Sequence, residues 1–152
     1  MASRRRAREF ALLALYHADL AGEPDTRRSL AQLWEGQLDG AFSGRPAESE
    51  EVEFAHRLCR GVDQRRQEID ALIENASANW RLARMPVVDR NILRMAAYEL
   101  LACPDIPVSV SINEAVELAK RYGDKDSRAF VNGILDRIAA DTGRGGRRHR
   151  RR

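Results

Sequence analysis

The chain has 152 residues, which is the length of one ordinary domain or of two very small ones. Hydrophobic residues make up 43% of the chain and charged residues 32%, a balance that excludes wholesale disorder. Two cysteines are too few for a disulfide scaffold and no signal-peptide pattern opens the chain, so we expect a cytoplasmic protein. The longest run without a charged side chain spans residues 10–18, far short of the ~20 residues that a membrane-spanning helix needs, so we expect no membrane segment.

Charge is strongly segregated along the chain. The net charge is +3, but four arginines near the amino end and six within residues 144–152 supply ten of the 26 basic side chains. Residues 9–143 therefore carry 16 basic against 23 acidic side chains, a net charge of −7. Because a guanidinium group makes paired hydrogen bonds to phosphate, these arginine clusters favour an RNA or DNA partner.

Helical periodicity dominates the sequence, and strand-like alternation is confined to residues 108–112, so we expect an all-α fold. Residues 40–46 have the composition of a flexible loop. The apolar spacing and the stop signals of the first half predict three helices, over about residues 3–20, 26–38 and 49–76.

A connection over residues 79–86 is predicted to divide the protein into halves 1–78 and 79–142, with Trp80 as a core anchor. The second half should again hold three helices. The first covers about residues 88–102, the second begins at a capping box over residues 111–114 and closes at Gly123, and the third starts at Asp126 or Ser127. Residues 143–152, with their arginines and no hydrophobic side chain, are predicted to be a tail that is disordered in isolation.

The first helix has two different faces when residues are placed 100° apart around its axis. One face carries Arg5, Arg8, Glu9 and Tyr16, with Leu12 as an apolar exception. The opposite, apolar face is predicted to be buried and carries Ala7, Phe10, Ala11, Ala14 and Ala18. Arginines beside an exposed ring suit single-stranded RNA, because phosphates are neutralised while a base stacks on the ring. The alternative is a solubilising helix start, although positive charge is unfavourable at that end of a helix dipole.

Catalytic and metal-binding patterns find little support. The three histidines and two cysteines are scattered, and His56 with Cys59 supplies only two of the ligands that a metal site needs. Glu50, Glu51 and Glu53 have the pattern of a solvated helical face. The glycines of residues 143–146 follow no strand and open no helix, so they do not form a phosphate-binding loop. We therefore expect neither an enzyme nor a cofactor or metal site.

Several motifs resemble the family of the bacterial transcription antitermination factor NusB, in the family's order and over about residues 4–140. They are RRRARE at residues 4–9, ALY at 14–16, GV at 61–62, ID at 69–70, Trp80, DRNILR at 89–94, AYEL at 97–100, IP at 106–107, INEAVELAK at 112–120 and FVNGILD at 130–136. The resemblance implies two three-helix subdomains, in agreement with the periodicity.

The resemblance also assigns roles to individual positions. It places the family's arginine-rich RNA motif on Arg4, Arg5, Arg6 and Arg8 and its RNA-facing tyrosine on Tyr16. It adds Asp126, Phe130 and Asn132 as further RNA contacts and places Asp89 near the surface for RNA and the protein partner NusE. Structural alternatives remain open, because Phe130 could be a core residue, Asn132 a helix–helix anchor and Asp126 an N-cap.

The function that the resemblance implies is that of a non-enzymatic RNA-binding adaptor. Together with the ribosomal protein NusE, such a factor binds the boxA element of nascent ribosomal RNA transcripts and helps the RNA polymerase elongation complex to resist termination. Two features depart from the family pattern, the small-residue connection at residues 40–48 and the arginine tail. Phosphate contacts from that tail would raise affinity for all RNAs alike.

Two other functions compete with this interpretation. The chain could be the NusB-like domain of an rRNA cytosine methyltransferase that lacks its catalytic part, or a helical scaffold for proteins whose arginines are merely solubilising. A homodimer that covers the arginine face is a further possibility that the sequence leaves open.

Overall fold

The computed structural model of the protein describes residues 1–38 and 45–143. Within these ranges the secondary structure is entirely helical, which confirms the predicted fold class, and none of the helices is both long and apolar enough to cross a bilayer. The predicted tail lies outside the described residues except for Gly143, as does most of the predicted loop at 40–46. The helices are α1 Arg4–Leu20, α2 Arg27–Trp34, α3 Ser49–Gln64, α4 Arg66–Ala76, α5 Val87–Ala102, α6 Val108–Tyr122 and α7 Ser127–Asp141, with a 3₁₀ turn at Leu82–Arg84.

The chain forms two compact units, an N-terminal unit over Met1–Gln64 and a C-terminal unit from Arg65 onward. In the N-terminal unit, α1 packs against both α2 and α3. In the C-terminal unit, α5, α6 and α7 pack against one another, and α4 packs against α5 and α7. The apolar residues of α7 recur at three and four, as the helical periodicity of the sequence predicts, and Val131, Ile134, Leu135 and Ile138 are buried whereas Phe130 is half-buried.

The prediction of one long helix over residues 49–76 is wrong, because Arg65 leaves helical geometry between α3 and α4 with φ −119° and ψ 25°. Its guanidinium donates to the carboxylate of Glu68 in the first turn of α4, at 2.9 and 3.1 Å. A break of one residue barely shifts the apolar stripe, so periodicity alone could not detect it. The division between the units therefore falls after Gln64 rather than after residue 78, and the C-terminal unit holds four helices rather than three.

Two other predicted helix ends also differ from the structure. The second helix ends at Trp34 instead of Leu38, because Gly36 takes a left-handed conformation at φ 72° and its N–H donates to the carbonyl of Leu33. The predicted capping box at residues 111–114 is wrong, because α6 already begins after Pro107. Ser111 is instead buried in the helix, where its hydroxyl donates to Glu99 Oε1 at 2.7 Å.

Candidate nucleic-acid interface

The arginine-rich start of α1 is fixed by a helix cap and by a buried carboxylate. The hydroxyl of Ser3 accepts from the backbone N–H of Arg6 at 3.1 Å, which confirms a helix start at Ser3. The backbone N–H of Ser3 itself donates to Glu51 Oε2 at 2.9 Å. The first residue of the arginine motif therefore follows a cap that is tied to α3.

Glu51 is the centre of this arrangement. The residue is 1% exposed, and its carboxylate accepts from Arg6 Nη1 at 3.0 Å and from both terminal nitrogens of Arg45 at 3.1 and 2.6 Å. It also accepts from the backbone N–H of Glu48 at 3.0 Å. The hydrogen bonds from Arg45 and from the backbone N–H groups of Glu48 and Ser3 lower the pKa of Glu51 to about 2, against the opposing effect of burial.

The prediction that Glu51 lies on a solvated face is therefore wrong. The sequence did contain a signal, since Glu51 lies seven residues before Leu58 and eleven before Val62, on the buried stripe of α3. Both of its acidic neighbours, Glu50 and Glu53, are exposed as predicted.

The four predicted arginines do not form one outward face. Arg4 and Arg5 are exposed, whereas Arg6 is bonded to Glu51 and to the backbone carbonyls of Arg45 and Pro46. Arg8 is only 3% exposed, and the neighbouring Glu9 is buried too. Because α1 is packed between α2 and α3, it buries two sides rather than the single side that the two-face prediction assumed.

Three guanidinium groups contact the aromatic ring of Phe54 in α3. The Cζ atoms of Arg4, Arg8 and Arg57 lie 4.3, 5.3 and 5.9 Å from the ring centroid. Such contacts stabilise a cation over a ring, most strongly where water is excluded. Neither Phe54 nor Arg57 was predicted as a site residue, because contacts between helices cannot be obtained from the periodicity of one helix.

A cleft of about 390 Å³ lies beside this cluster. It is lined by residues that include Ser3, Arg4, Glu50, Glu53, Phe54 and Arg57. The cleft is lined by both acidic and basic residues. Its positively charged side is the one formed by the arginines around Phe54. We call Arg4, Arg8, Arg57 and Phe54 the arginine cluster, and Arg5 is exposed next to Arg4 on α1.

Tyr16 is half-buried, and its ring meets the imidazole of His17 edge-on with a centroid distance of 5.6 Å. It lies eleven residues after Arg5, which is about three helical turns or roughly 16 Å along the axis. Arg5 and Tyr16 consequently share a face of α1, as predicted, but the buried Arg8 and Glu9 do not extend that exposed face.

The site residues predicted in the C-terminal unit have very different environments. Asp126 is exposed at the N-cap position of α7, although its side chain makes no capping hydrogen bond, and Asn132 is exposed, which makes the helix–helix anchor reading wrong. Phe130 is half-buried and meets Trp80 edge-on, with ring centroids 5.2 Å apart. Trp80 itself is 43% exposed, so its prediction as a core anchor is wrong.

Asp89 is only 3% exposed, so the structure does not present it as the surface contact that was predicted. Its Oδ1 accepts from the hydroxyl of Ser127 at 2.7 Å, which connects α5 to the first residue of α7. Burial raises the pKa of Asp89, the Ser127 hydroxyl opposes this shift, and the nearby charge of Asp124 adds to it. The carboxylate therefore joins α5 to α7 within the C-terminal unit.

The fold and the arginine cluster place the protein in the class of all-helical proteins that have two compact units and arginines at the start of the first helix. Residues 5–140 match the sequence model of the NusB family. A relative from Desulforapulum autotrophicum, named transcription antitermination protein NusB, is 49% identical over 140 residues, which cover 91% of this chain and 92% of the relative. The chain therefore belongs to the NusB family. Its relatives are named transcription antitermination proteins, which confirms the prediction of a non-enzymatic protein.

Solved structures agree with this assignment. The structure described as T. maritima NusB matches with a TM-score of 0.79 and 42% identity, covering 93% of this chain and 94% of that one. A crystal structure of antitermination factors NusB and NusE in complex with dsRNA matches with a TM-score of 0.76 and 28% identity, covering 91% and 96%. A protein of this fold has thus been seen together with NusE and RNA.

Proposed function

We propose that this protein is a transcription antitermination factor that binds boxA-type single-stranded RNA together with a NusE-type ribosomal protein. In this role it would act on nascent ribosomal RNA transcripts and help the RNA polymerase elongation complex to pass terminators. The observation that carries the proposal is the pair of exposed guanidinium groups, Arg4 and Arg5, on a helix start that Ser3 and the buried Glu51 hold in place. The related complex of NusB and NusE with dsRNA supports RNA and a NusE-type protein as partners, and the choice of single-stranded RNA rests on the exposed arginines and Tyr16.

The four arginines divide between two roles in this proposal. Arg4 and Arg5 contact the RNA phosphates, because both residues are exposed and a guanidinium group makes paired hydrogen bonds to phosphate. Arg6 and Arg8 are positioning residues, because Arg6 is bonded to Glu51 and Arg8 is buried against Phe54. Tyr16 offers a ring to a base on the face that it shares with Arg5.

In the C-terminal unit, the half-exposed Phe130 and the exposed Asp126 and Asn132 are proposed as further RNA contacts. Asp89 keeps only an indirect role, since its carboxylate holds Ser127 at the start of α7, next to Asp126. The arginines of residues 144–152, which lie outside the described residues, would add affinity without sequence discrimination.

The experiment is an anisotropy titration of labelled boxA-type RNA and a scrambled RNA, each with and without the NusE-type protein. We expect the wild-type protein to prefer boxA-type RNA, and the partner to increase that preference. Arg4→Gln/Arg5→Gln should weaken binding at least tenfold, because a hydrogen bond to a charged group contributes roughly 1.5–3 kcal/mol.

The matched control is Arg27→Gln/Arg28→Gln, which removes the same charge from exposed positions of α2. These two arginines pair with Asp25 at 3.1 Å and with Glu23 at 3.8 Å. The control should bind within about twofold of the wild type. Equal losses in both variants would mean that general charge attracts the RNA, and no loss in either would contradict the proposal.

A further inference from the structure

Trp80 is presented to solvent by the connection between α4 and α5. Of the two tryptophans in the chain, Trp34 is half-buried and its indole N–H donates to His56 Nε2 at 2.8 Å. Trp80 is 43% exposed, and its indole N–H forms no hydrogen bond within residues 1–38 and 45–143. A large ring left in water loses the free energy that burial would provide, which makes its exposure informative.

The backbone before Trp80 is strained and held by hydrogen bonds. Ala78 and Asn79 are successive non-glycine residues with positive φ angles of 57° and 67°. The hydroxyl of Ser77 donates to the Trp80 carbonyl at 3.0 Å, and the Trp80 N–H donates to the Ser77 carbonyl at 3.2 Å. Ala78 directly follows the C-cap of α4, and the Asn79 N–H donates to the Glu74 carbonyl at 2.8 Å, so the end of the helix fixes this left-handed backbone and with it the position of Trp80.

Phe130 supports the indole from one side. The two rings are nearly perpendicular, at 81°, with a centroid distance of 5.2 Å. In this edge-to-face arrangement Phe130 covers at most one face of the indole. Because Trp80 is 43% exposed, part of its ring surface remains open to a flat aromatic group from solvent.

The surroundings of Trp80 favour a nucleobase over a protein side chain. Arg81 and Arg84, the next basic residues along the chain, are both exposed, as is Asn79 on the other side. Both arginines follow Trp80, and an aromatic ring next to exposed arginines is typical of single-strand binding, in which cations track the backbone while rings stack on bases. The polar neighbours can hold phosphates while the ring holds a base.

We propose that Trp80, braced by Phe130, is a stacking platform for one unpaired base of the bound RNA. The inference rests on the proposed function and deepens it, because it names a residue of the C-terminal unit that stacks on a base of the RNA. Stacking makes no hydrogen bond to a base edge, so the platform adds affinity at one nucleotide without distinguishing among the four bases.

The experiment uses tryptophan emission from the full chain. Trp34→Phe leaves Trp80 as the single tryptophan, and boxA-type RNA is titrated into this variant with the NusE-type protein present. We expect the emission of Trp80 to be quenched at the same RNA concentration at which anisotropy reports binding. In Trp80→Phe, which keeps Trp34, the emission should not change on binding.

Affinity measurements with abasic RNA make the test specific. Trp80→Leu should weaken binding about five- to a hundredfold, whereas Trp80→Phe should retain most of the affinity because it keeps a stacking ring. One abasic position should weaken wild-type binding by a similar factor and add no further loss in Trp80→Leu. Far-UV circular dichroism verifies that each variant remains helical.

The possible results separate the two proposals. Normal RNA binding with unchanged Trp80 emission and unchanged affinity of Trp80→Leu overturns the platform and leaves the proposed function standing. An emission change produced by the NusE-type protein alone, without RNA, assigns Trp80 to a protein contact and also overturns the platform. No RNA binding by the wild-type chain under any condition overturns both.

Discussion

Each unit presents a candidate RNA contact. The two contacts differ in chemistry and in the interactions that hold them in place. In the N-terminal unit, the arginine cluster is charged, and a buried carboxylate with a pKa of about 2 fixes the start of α1, which carries Arg4 and Arg8. In the C-terminal unit, Trp80 and Phe130 are uncharged rings, and a strained, hydrogen-bonded turn fixes Trp80. Exposed guanidinium groups suit the repeating phosphates, whereas a ring must be held in place to meet one base.

The same comparison separates exposed functional groups from buried supporting ones. Arg4 and Arg5 are exposed beside Arg6 and Arg8, which serve the folded state. Similar residue types in one short motif therefore have different tasks, and mutation can distinguish them by whether stability or RNA affinity changes.

The largest effect on stability is expected at the carboxylate that fixes the arginine cluster. Glu51→Gln should lower the free energy of unfolding by about 3 kcal/mol, because it removes the charge that Arg6 and Arg45 share within a buried group. Denaturant unfolding followed by circular dichroism measures this loss. Glu50→Gln changes the exposed neighbour and should stay within about 0.5 kcal/mol of the wild type.

The pH dependence of this loss follows from the pKa of Glu51. Its folded-state pKa of about 2 lies below the ordinary value of 4.5, so the contribution of the ionised carboxylate is fully present above pH 4.5. It is lost as the pH falls from 4.5 toward 2. The difference in unfolding free energy between wild type and Glu51→Gln should narrow over this window, and a constant difference would contradict the role of the charge.

A smaller loss is expected at Arg8, the buried arginine of the cluster. Arg8→Gln should destabilise the protein by about 1 kcal/mol, because it removes the guanidinium contact with Phe54 and part of the packed stem. Arg5→Gln, at an exposed position of the same helix, should leave thermal unfolding nearly unchanged. If the two variants unfolded alike, the division between supporting and RNA-facing arginines would be wrong.

The smallest effect, of opposite sign, is expected in the turn that presents Trp80. Ala78→Gly should stabilise the protein by about 0.5 kcal/mol, because glycine adopts the positive φ of 57° without the strain of a Cβ atom, although it has more freedom to lose on folding. The control, Ala71→Gly at an exposed interior position of α4, should destabilise by about 1 kcal/mol. If Ala78→Gly destabilised the protein as Ala71→Gly does, the backbone at Ala78 would not be strained.

Properties that depend on one helix could be predicted from the sequence. The start at Ser3 and the buried stripe of α7 follow from capping chemistry and from spacing. The burial of Arg8 and its contact with Phe54 depend on how α3 packs on α1, which periodicity does not contain. Trp80 lies between helices, so no face pattern could indicate that its ring is exposed.

The salt dependence of RNA binding tests most directly which arginines contact the RNA, because its slope reports the number of phosphate contacts. A plot of log affinity against log salt concentration is compared for wild type, Arg4→Gln/Arg5→Gln and Arg27→Gln/Arg28→Gln. Each lost contact to a single strand reduces the slope by about 0.7, so the first double variant should lose about 1.4 and the second almost nothing. Equal slopes for all three proteins would contradict the assignment of Arg4 and Arg5 to the RNA backbone.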